Sequence, residues 1–143
     1  MKEALTALIG SPYASFAISP VGRWLGGTLT EVREDGITIA FEVREEMCNP
    51  FAVLHGGIIT TMLDEVIGAS VATVAGYENW FTTLNISIDF LASGKHGDTV
   101  TAAAYLVRKG RNICHIEARL TRDEKLLAKA TSNMANTHQP IAK

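Results

Sequence analysis

Several things are scarce in this sequence, and each scarcity closes off a class of protein. Cys48 and Cys114 are the only two cysteines in 143 residues. Two are too few for a disulfide framework, and they form no metal-type pair, so two unpaired thiols in a reducing compartment is the reading they support. Neither sign of charge dominates: Lys plus Arg total 13, Asp plus Glu total 15, and the formal net charge is -2. A general nucleic-acid binder, whose affinity comes largely from neutralising phosphates, is not expected from that balance. A local basic patch for a phosphate-bearing small molecule remains compatible with it. No low-complexity tract or long charge run signals disorder. No apolar stretch is long and clean enough to span a membrane, because Asp64 and Glu65 interrupt the run from Ile58 to Ala75. The apolar stretch Ala4 to Ile9 follows Glu3, where a secretory signal would carry positive charge, and Gly10-Ser11-Pro12 ends it early. It reads as a short helix, and a cytoplasmic protein is the expectation.

The known catalytic signatures are missing too. The chain has no Gly-x-Ser-x-Gly elbow, no P-loop, no dinucleotide fingerprint and no His-Glu-x-x-His site. Its four histidines, His55, His96, His115 and His138, follow no metal-ligand spacing. Any hydrolysis is therefore expected to rest on a carboxylate and to need no metal or other cofactor.

What the sequence does have is a hydrophobic fraction of 47% beside a charged fraction of 20%, enough to bury a core within one domain over residues 1–143. Lys2 to Ile9 reads as a helix. Gly26 to Arg33 and Gly36 to Val43 tend to alternate, and Asp35-Gly36 between them predicts a tight hairpin using positive backbone angles. A loop with Asn49-Pro50 and His55-Gly56-Gly57 precedes the one long helical segment, Gly57 to Val74. Alternating segments follow at Thr82 to Leu91, Thr99 to Val107, Ile113 to Thr121 and Leu126 to Asn136, joined by short turns that favour antiparallel pairing. In the first of these, Leu84, Ile86, Ile88 and Phe90 share one face. One long helix on an antiparallel sheet is an α+β architecture. Apolar residues cover most directions around that helix, which predicts burial on several sides by a curling sheet.

One stripe of the helix differs: Thr60, Thr61, Asp64 and Gly68 recur at three- and four-residue spacing. Two readings of Asp64 are open, a solvated surface acid and a carboxylate facing a confined cleft. Glu65 points about 100° away around the helix, as a second-choice site residue or an ordinary polar contact. His55-Gly56-Gly57 at the helix start is either a plain turn or a place where free N–H groups and the helix dipole polarise a carbonyl. Asn49 either starts a turn or donates to a thioester oxygen or a water. Thr83 begins an alternating strand. Arg108-Lys109-Gly110-Arg111 is either a solvated hairpin tip or a phosphate site. Trp80, Phe81 and Phe90 fit aromatic pocket lining and core packing equally.

Taken together, the segment Asn49 to Gly57, Asp64 nine positions after His55 (64 − 55 = 9) and then Gly68 resemble the hotdog-fold acyl-CoA thioesterases, and the phenylacetate-pathway branch in particular. The strand Thr83 to Leu91 and the hairpin Val107 to Arg111 are similar to that branch as well. The resemblance implies a six-stranded antiparallel sheet wrapped around the long helix. It also implies homo-oligomers, dimers joined edge to edge or dimers of dimers, with sites at the subunit interface and acyl-CoA as the partner. In that arrangement Asn49, His55 and Gly56 of one subunit face Asp64 and Thr83 of another. Asp64 would serve as nucleophile or general base, and the Gly56 N–H would polarise the carbonyl. Thr83, or Thr82 in a register shifted by one, would position the water or carboxylate. Asn49 would orient the nucleophile or thioester. Gly57 would approach substrate, and Arg108, Lys109 and Arg111 would meet coenzyme A phosphates. Two other readings share the fold: acyl-thioester hydratases or dehydratases, whose proline-rich loop is missing here, and non-catalytic acyl-CoA sensors, which gain little from a confined carboxylate.

Overall fold

In the computed structural model, which describes residues 1–142, six strands form one antiparallel sheet. The chain runs α1 (Lys2–Thr6), α2 (Pro20–Leu25), β1 (Thr28–Val32), β2 (Ile37–Glu42), α3 (Gly56–Thr73), β3 (Asn79–Phe90), β4 (Thr99–Lys109), β5 (Ile113–Arg122) and β6 (Lys125–Pro140). The sheet order is β1-β2-β4-β5-β6-β3. Because β2 and β3 lie apart in that order, α3, which links them, has to cross the sheet. It touches β2, β4, β5, β6 and β3, which is the enclosure its apolar circumference predicts. Ile59, Met62, Leu63, Val66, Ile67 and Val71 are buried against the sheet. Full burial of one such side chain contributes about 1.5–3 kcal/mol. Among the described residues no helix is long and apolar enough to cross a membrane.

A buried hydroxyl ties α3 to the first hairpin. Ser70, 1% exposed, donates to the Val66 carbonyl at 2.7 Å and accepts from the Ile37 N–H at 3.0 Å. The helix N-terminus is capped by His55, whose Nδ1 accepts from the Gly57 N–H at 2.8 Å.

The structure corrects the sequence reading at several places. The first helix stops at Thr6 and continues only as turns to Gly10. Asp35-Gly36 closes the β1–β2 hairpin without positive φ. Glycine is needed there for proximity instead: a Cβ on Gly36 would collide with the Ala104 carbonyl oxygen. Helix α2 was not anticipated, although Ser19 caps it by accepting from Gly22 N at 2.8 Å, Pro20 opens it, and Gly26 ends it at φ +71. Finally, Leu84 does not share a face with Ile86 and Ile88. The register of β3 on β6 steps from Thr83↔Met134 to Asn85↔Asn133, so Leu84 is the extra residue of a bulge and is 57% exposed. Strands β1 and β2 are shorter than read, while the later strands run longer, beginning at Asn79 in β3 and ending at Lys109, Arg122 and Pro140 in β4, β5 and β6.

Candidate active site

Asp64 lies half-buried in the middle of α3. The bulge at Leu84 decides what faces it. Strict alternation through Ile86, Ile88 and Phe90 would send Thr83 to the outer face of the sheet. The extra residue turns it to the helix side, where Thr83 Oγ1 donates to Asp64 Oδ1 at 2.8 Å. Among the described residues Asp64 Oδ2 has no partner, and it borders a cleft of about 370 Å³ lined by Ser19, Thr60, Thr61, Thr83 and Ile86. The Thr60 and Thr61 hydroxyls donate to the carbonyls of Gly56 and Gly57, each at 2.8 Å. Their hydrogen-bonding protons are thereby turned into the helix, and the stripe presents one reactive group, the Asp64 carboxylate.

A second cluster forms at the N-terminus of α3. His55 Nδ1 is an acceptor there, so a neutral ring carries its proton on Nε2. The Gly57 N–H is held by that nitrogen, and the Ile58 and Ile59 N–H groups both donate to the His55 carbonyl at 2.9 Å. Among the described residues only the Gly56 N–H in this turn is free to meet a ligand. Gly57 therefore offers a ligand its lack of a side chain and no donor. Asn49 has its amide oxygen occupied by the Phe51 and Val53 N–H groups, at 2.9 and 3.3 Å. What remains on Asn49 is the NH₂, which can only donate. Phe90 lies against Gly56, its ring 3.4 Å from where a Cβ would be.

Within one chain these two clusters are separated. Gly56 and Asp64 are eight residues apart (64 − 56 = 8), about 12 Å along the helix axis. The basic residues lie elsewhere again. Arg108, Lys109 and Arg111 are exposed on the β4–β5 hairpin. Lys109 Nζ sits 5.1 Å above the Tyr77 ring, just past the C-terminal end of α3. Among the described residues no three His, Cys, Asp or Glu side chains lie close enough to share a metal ion.

The sequence reading offered Trp80 and Phe81 as aromatic lining without placing the cavity they wall. About 230 Å³ of space opens beside α3, walled by Leu5, Phe16, Ala69, Trp80 and Phe81 and by the bare backbone of Gly68. Glu65 and Ser19 border both this cavity and the Asp64 cleft. Glu65 accepts from the Tyr13 hydroxyl at 2.8 Å and from Ser19 at 2.9 and 3.0 Å. Burial first, and the Glu65 carboxylate second, hold the Tyr13 hydroxyl far above the usual phenol range, so it remains a donor. Of the Tyr13–Ser19 side of this wall, the sequence carried a signal at Ser19, the cap before Pro20 of α2.

The model of the thioesterase superfamily matches residues 51–129. The chain belongs to the thioesterase superfamily. It is similar to a phenylacetic acid degradation-related protein of Ralstonia eutropha, with 30% identity, a TM-score of 0.76 and coverage of 86% of this chain and 98% of that one. A hypothetical thioesterase of Streptococcus pneumoniae, solved with coenzyme A, is 27% identical over 79% of this chain and 87% of its own, with a TM-score of 0.72. The 1,4-dihydroxy-2-naphthoyl-CoA thioesterase 2 of Arabidopsis thaliana is 26% identical over 110 residues, 77% of this chain and 69% of that protein. This superfamily member is thus a thioester hydrolase with the hotdog fold, of the phenylacetate-pathway type.

Proposed function

We propose that this chain hydrolyses acyl-coenzyme A thioesters, with Asp64 of one subunit and the Gly56 N–H of another acting on the same carbonyl. The observation that carries the reading is the Asp64 carboxylate itself: one oxygen is held by Thr83, the other has no partner among the described residues, and Asp64 lines a cleft that adjoins an apolar cavity. A carboxylate so placed takes a proton from water while the water oxygen bonds to the thioester carbon. The carbonyl oxygen gains the displaced electron pair, and the Gly56 N–H stabilises it with the dipole of α3 behind it. Collapse breaks the C–S bond, and sulfur leaves with the electron pair and takes up the proton. Direct attack by Asp64, giving a mixed anhydride that water then opens, is the other route for the same carboxylate. Label found in Asp64 after single turnovers in heavy-oxygen water identifies direct attack, because only an anhydride opened at the Asp64 carbonyl places a water oxygen there.

Geometry supports sharing between subunits. A carbonyl carbon and its oxygen are about 1.2 Å apart, far less than the separation along α3 between Gly56 and Asp64 of one chain. Among the described residues strand β3, 12 residues long, has no partner on its outer edge, and Leu84 and Phe90 are more than half exposed along it. Such an edge is a template for a second copy. Asn49 would donate to the thioester or to water. The exposed Arg108, Lys109 and Arg111 are the candidates for coenzyme A phosphates, consistent with the coenzyme A in the Streptococcus structure. Two unpaired cysteines fit a cytoplasmic setting.

The test is release of free thiol from phenylacetyl-, benzoyl- and short and medium straight-chain acyl-CoAs, with wild type beside Asp64→Ala and Asp64→Asn. Both variants should lose about a hundredfold or more in turnover, and Asp64→Asn should keep its affinity. Undiminished turnover in the variants, or no turnover by folded wild type on any substrate, would sink the reading.

A further inference from the structure

Hydrolysis as described uses Asp64 and leaves its neighbour Glu65 without a role, yet Glu65 has the surroundings of a recognition group. Its carboxylate has about four acceptor sites. Two hydroxyl protons serve them, from Tyr13 and Ser19. Among the described residues no Lys, Arg or His forms an ion pair with it. Because Glu65 and Ser19 border both the Asp64 cleft and the apolar cavity, an acyl group reaching from one into the other passes this carboxylate. The cavity holds about 230 Å³. An apolar cavity of about 150 Å³ takes benzene, so there is room here for a substituted ring or a short chain.

A tie between α2 and α3 does not by itself call for a carboxylate. Glutamine would also accept from Tyr13 and Ser19, without an uncompensated charge beside apolar walls. The backbone makes room for this side chain: a Cβ on Gly22 would collide with Glu65 Oε1.

We propose that Glu65 selects the acyl group, receiving a hydroxyl carried close to the thioester and turning away acyl groups that bear a carboxylate. The proposal rests on the acyl-CoA reading above. An acyl group with only apolar atoms at this neck displaces water from the spare acceptor sites and leaves them unpaired. A hydroxyl replaces that water with a charge-assisted hydrogen bond. A second carboxylate meets like charge in a confined, weakly screened space.

Non-hydrolysable thioether analogues test binding apart from turnover. The set is hexanoyl, β-hydroxyhexanoyl and adipoyl, together with benzoyl and ortho-hydroxybenzoyl, each on coenzyme A and titrated by calorimetry. Wild type should bind at least one hydroxylated member about ten- to a hundredfold more tightly than its parent, and adipoyl most weakly. Glu65→Gln should lose the preference and gain affinity for adipoyl. Tyr13→Phe keeps the charge and frees one acceptor site, so it should keep or enlarge the preference; it also serves as the test if Glu65→Gln does not fold. A purely structural tie would weaken all analogues alike in both variants and leave the ratios unchanged. That result, or no preference in wild type, overturns the proposal. The corresponding thioesters, assayed for hydrolysis, keep the two readings apart. A Glu65-dependent preference without hydrolysis overturns the thioesterase reading and leaves selection standing. Hydrolysis without such a preference does the reverse.

Discussion

Thr83 and Gly68 act on Asp64 and its surroundings in opposite ways, one by a group it supplies and the other by a group it lacks. The Thr83 hydroxyl fixes one Asp64 oxygen and thereby aims the other. Thr83→Val keeps the shape and removes the donor. A hydrogen bond to a charged group contributes about 1.5–3 kcal/mol, so turnover should fall about ten- to a hundredfold with little change in KM, and Thr83→Ser should restore most of it. A Thr83→Val enzyme as fast as wild type would show that the carboxylate is aimed by something else. Gly68 lies on α3, where a Cβ would meet nothing within 4 Å, and its missing side chain enlarges the cavity. Gly68→Ala should therefore stabilise the fold by about 0.5–1 kcal/mol, since glycine is costly inside a helix. It should also lower activity on bulky acyl groups more than on acetyl-CoA. Denaturant melts and a chain-length series check the two halves. Asp64 was legible in the sequence from its place within the long helix, whereas the role of the Gly56 N–H came only with the family resemblance. The Glu65 contacts were not legible, because Tyr13, Ser19 and Glu65 come together only through the fold of α2 over α3.

At the scale of elements, the long helix and the strands could be read from their apolar patterns, because the helix is enclosed by the sheet and the strands bury alternate residues against it. The bulge in β3 could not. Polar residues at 83, 85, 87 and 89 alternate cleanly with apolar ones at 84, 86, 88 and 90, and that pattern misdirects Leu84 and Thr83 together. Only pairing with β6 reveals the extra residue. Helix α2 was hidden for a different reason: six residues give too few turns for a periodic signal, although its cap, opening proline and terminal glycine were all in view. Between elements, the Ser70 hydroxyl joins α3 to β2. Ser70→Ala leaves the Ile37 N–H without its acceptor in the core, and an unpaired buried donor costs about 1–3 kcal/mol. The urea midpoint should drop with an unchanged slope. An unchanged midpoint would mean that the Ile37 N–H finds another acceptor.

For the whole molecule, the axial separation of about 12 Å between Gly56 and Asp64 makes a claim that one experiment can decide. Gly56 is the first residue of α3, where proline is tolerated, and His55 already has the extended backbone that precedes proline, φ -64 and ψ 135. Gly56→Pro therefore deletes the proposed oxyanion donor while preserving the helix, and Phe90, 55% exposed, has room to yield to the ring. Homo-oligomers of Gly56→Pro should be inactive, as should those of Asp64→Ala. Co-expression with two different tags yields a heterodimer that can be isolated. In it, one site brings both substitutions together, the Gly56→Pro lesion from one chain and the Asp64→Ala lesion from the other, and is dead twice over. The other joins an intact Gly56 to an intact Asp64 across the interface. The heterodimer should recover about half of wild-type turnover per dimer, as twofold symmetry with shared sites requires. If each site is built from a single chain, every site in the heterodimer carries one lesion and no activity returns. Recovery would also show that subunit pairing completes the catalytic machinery, since neither parent holds an intact site of its own.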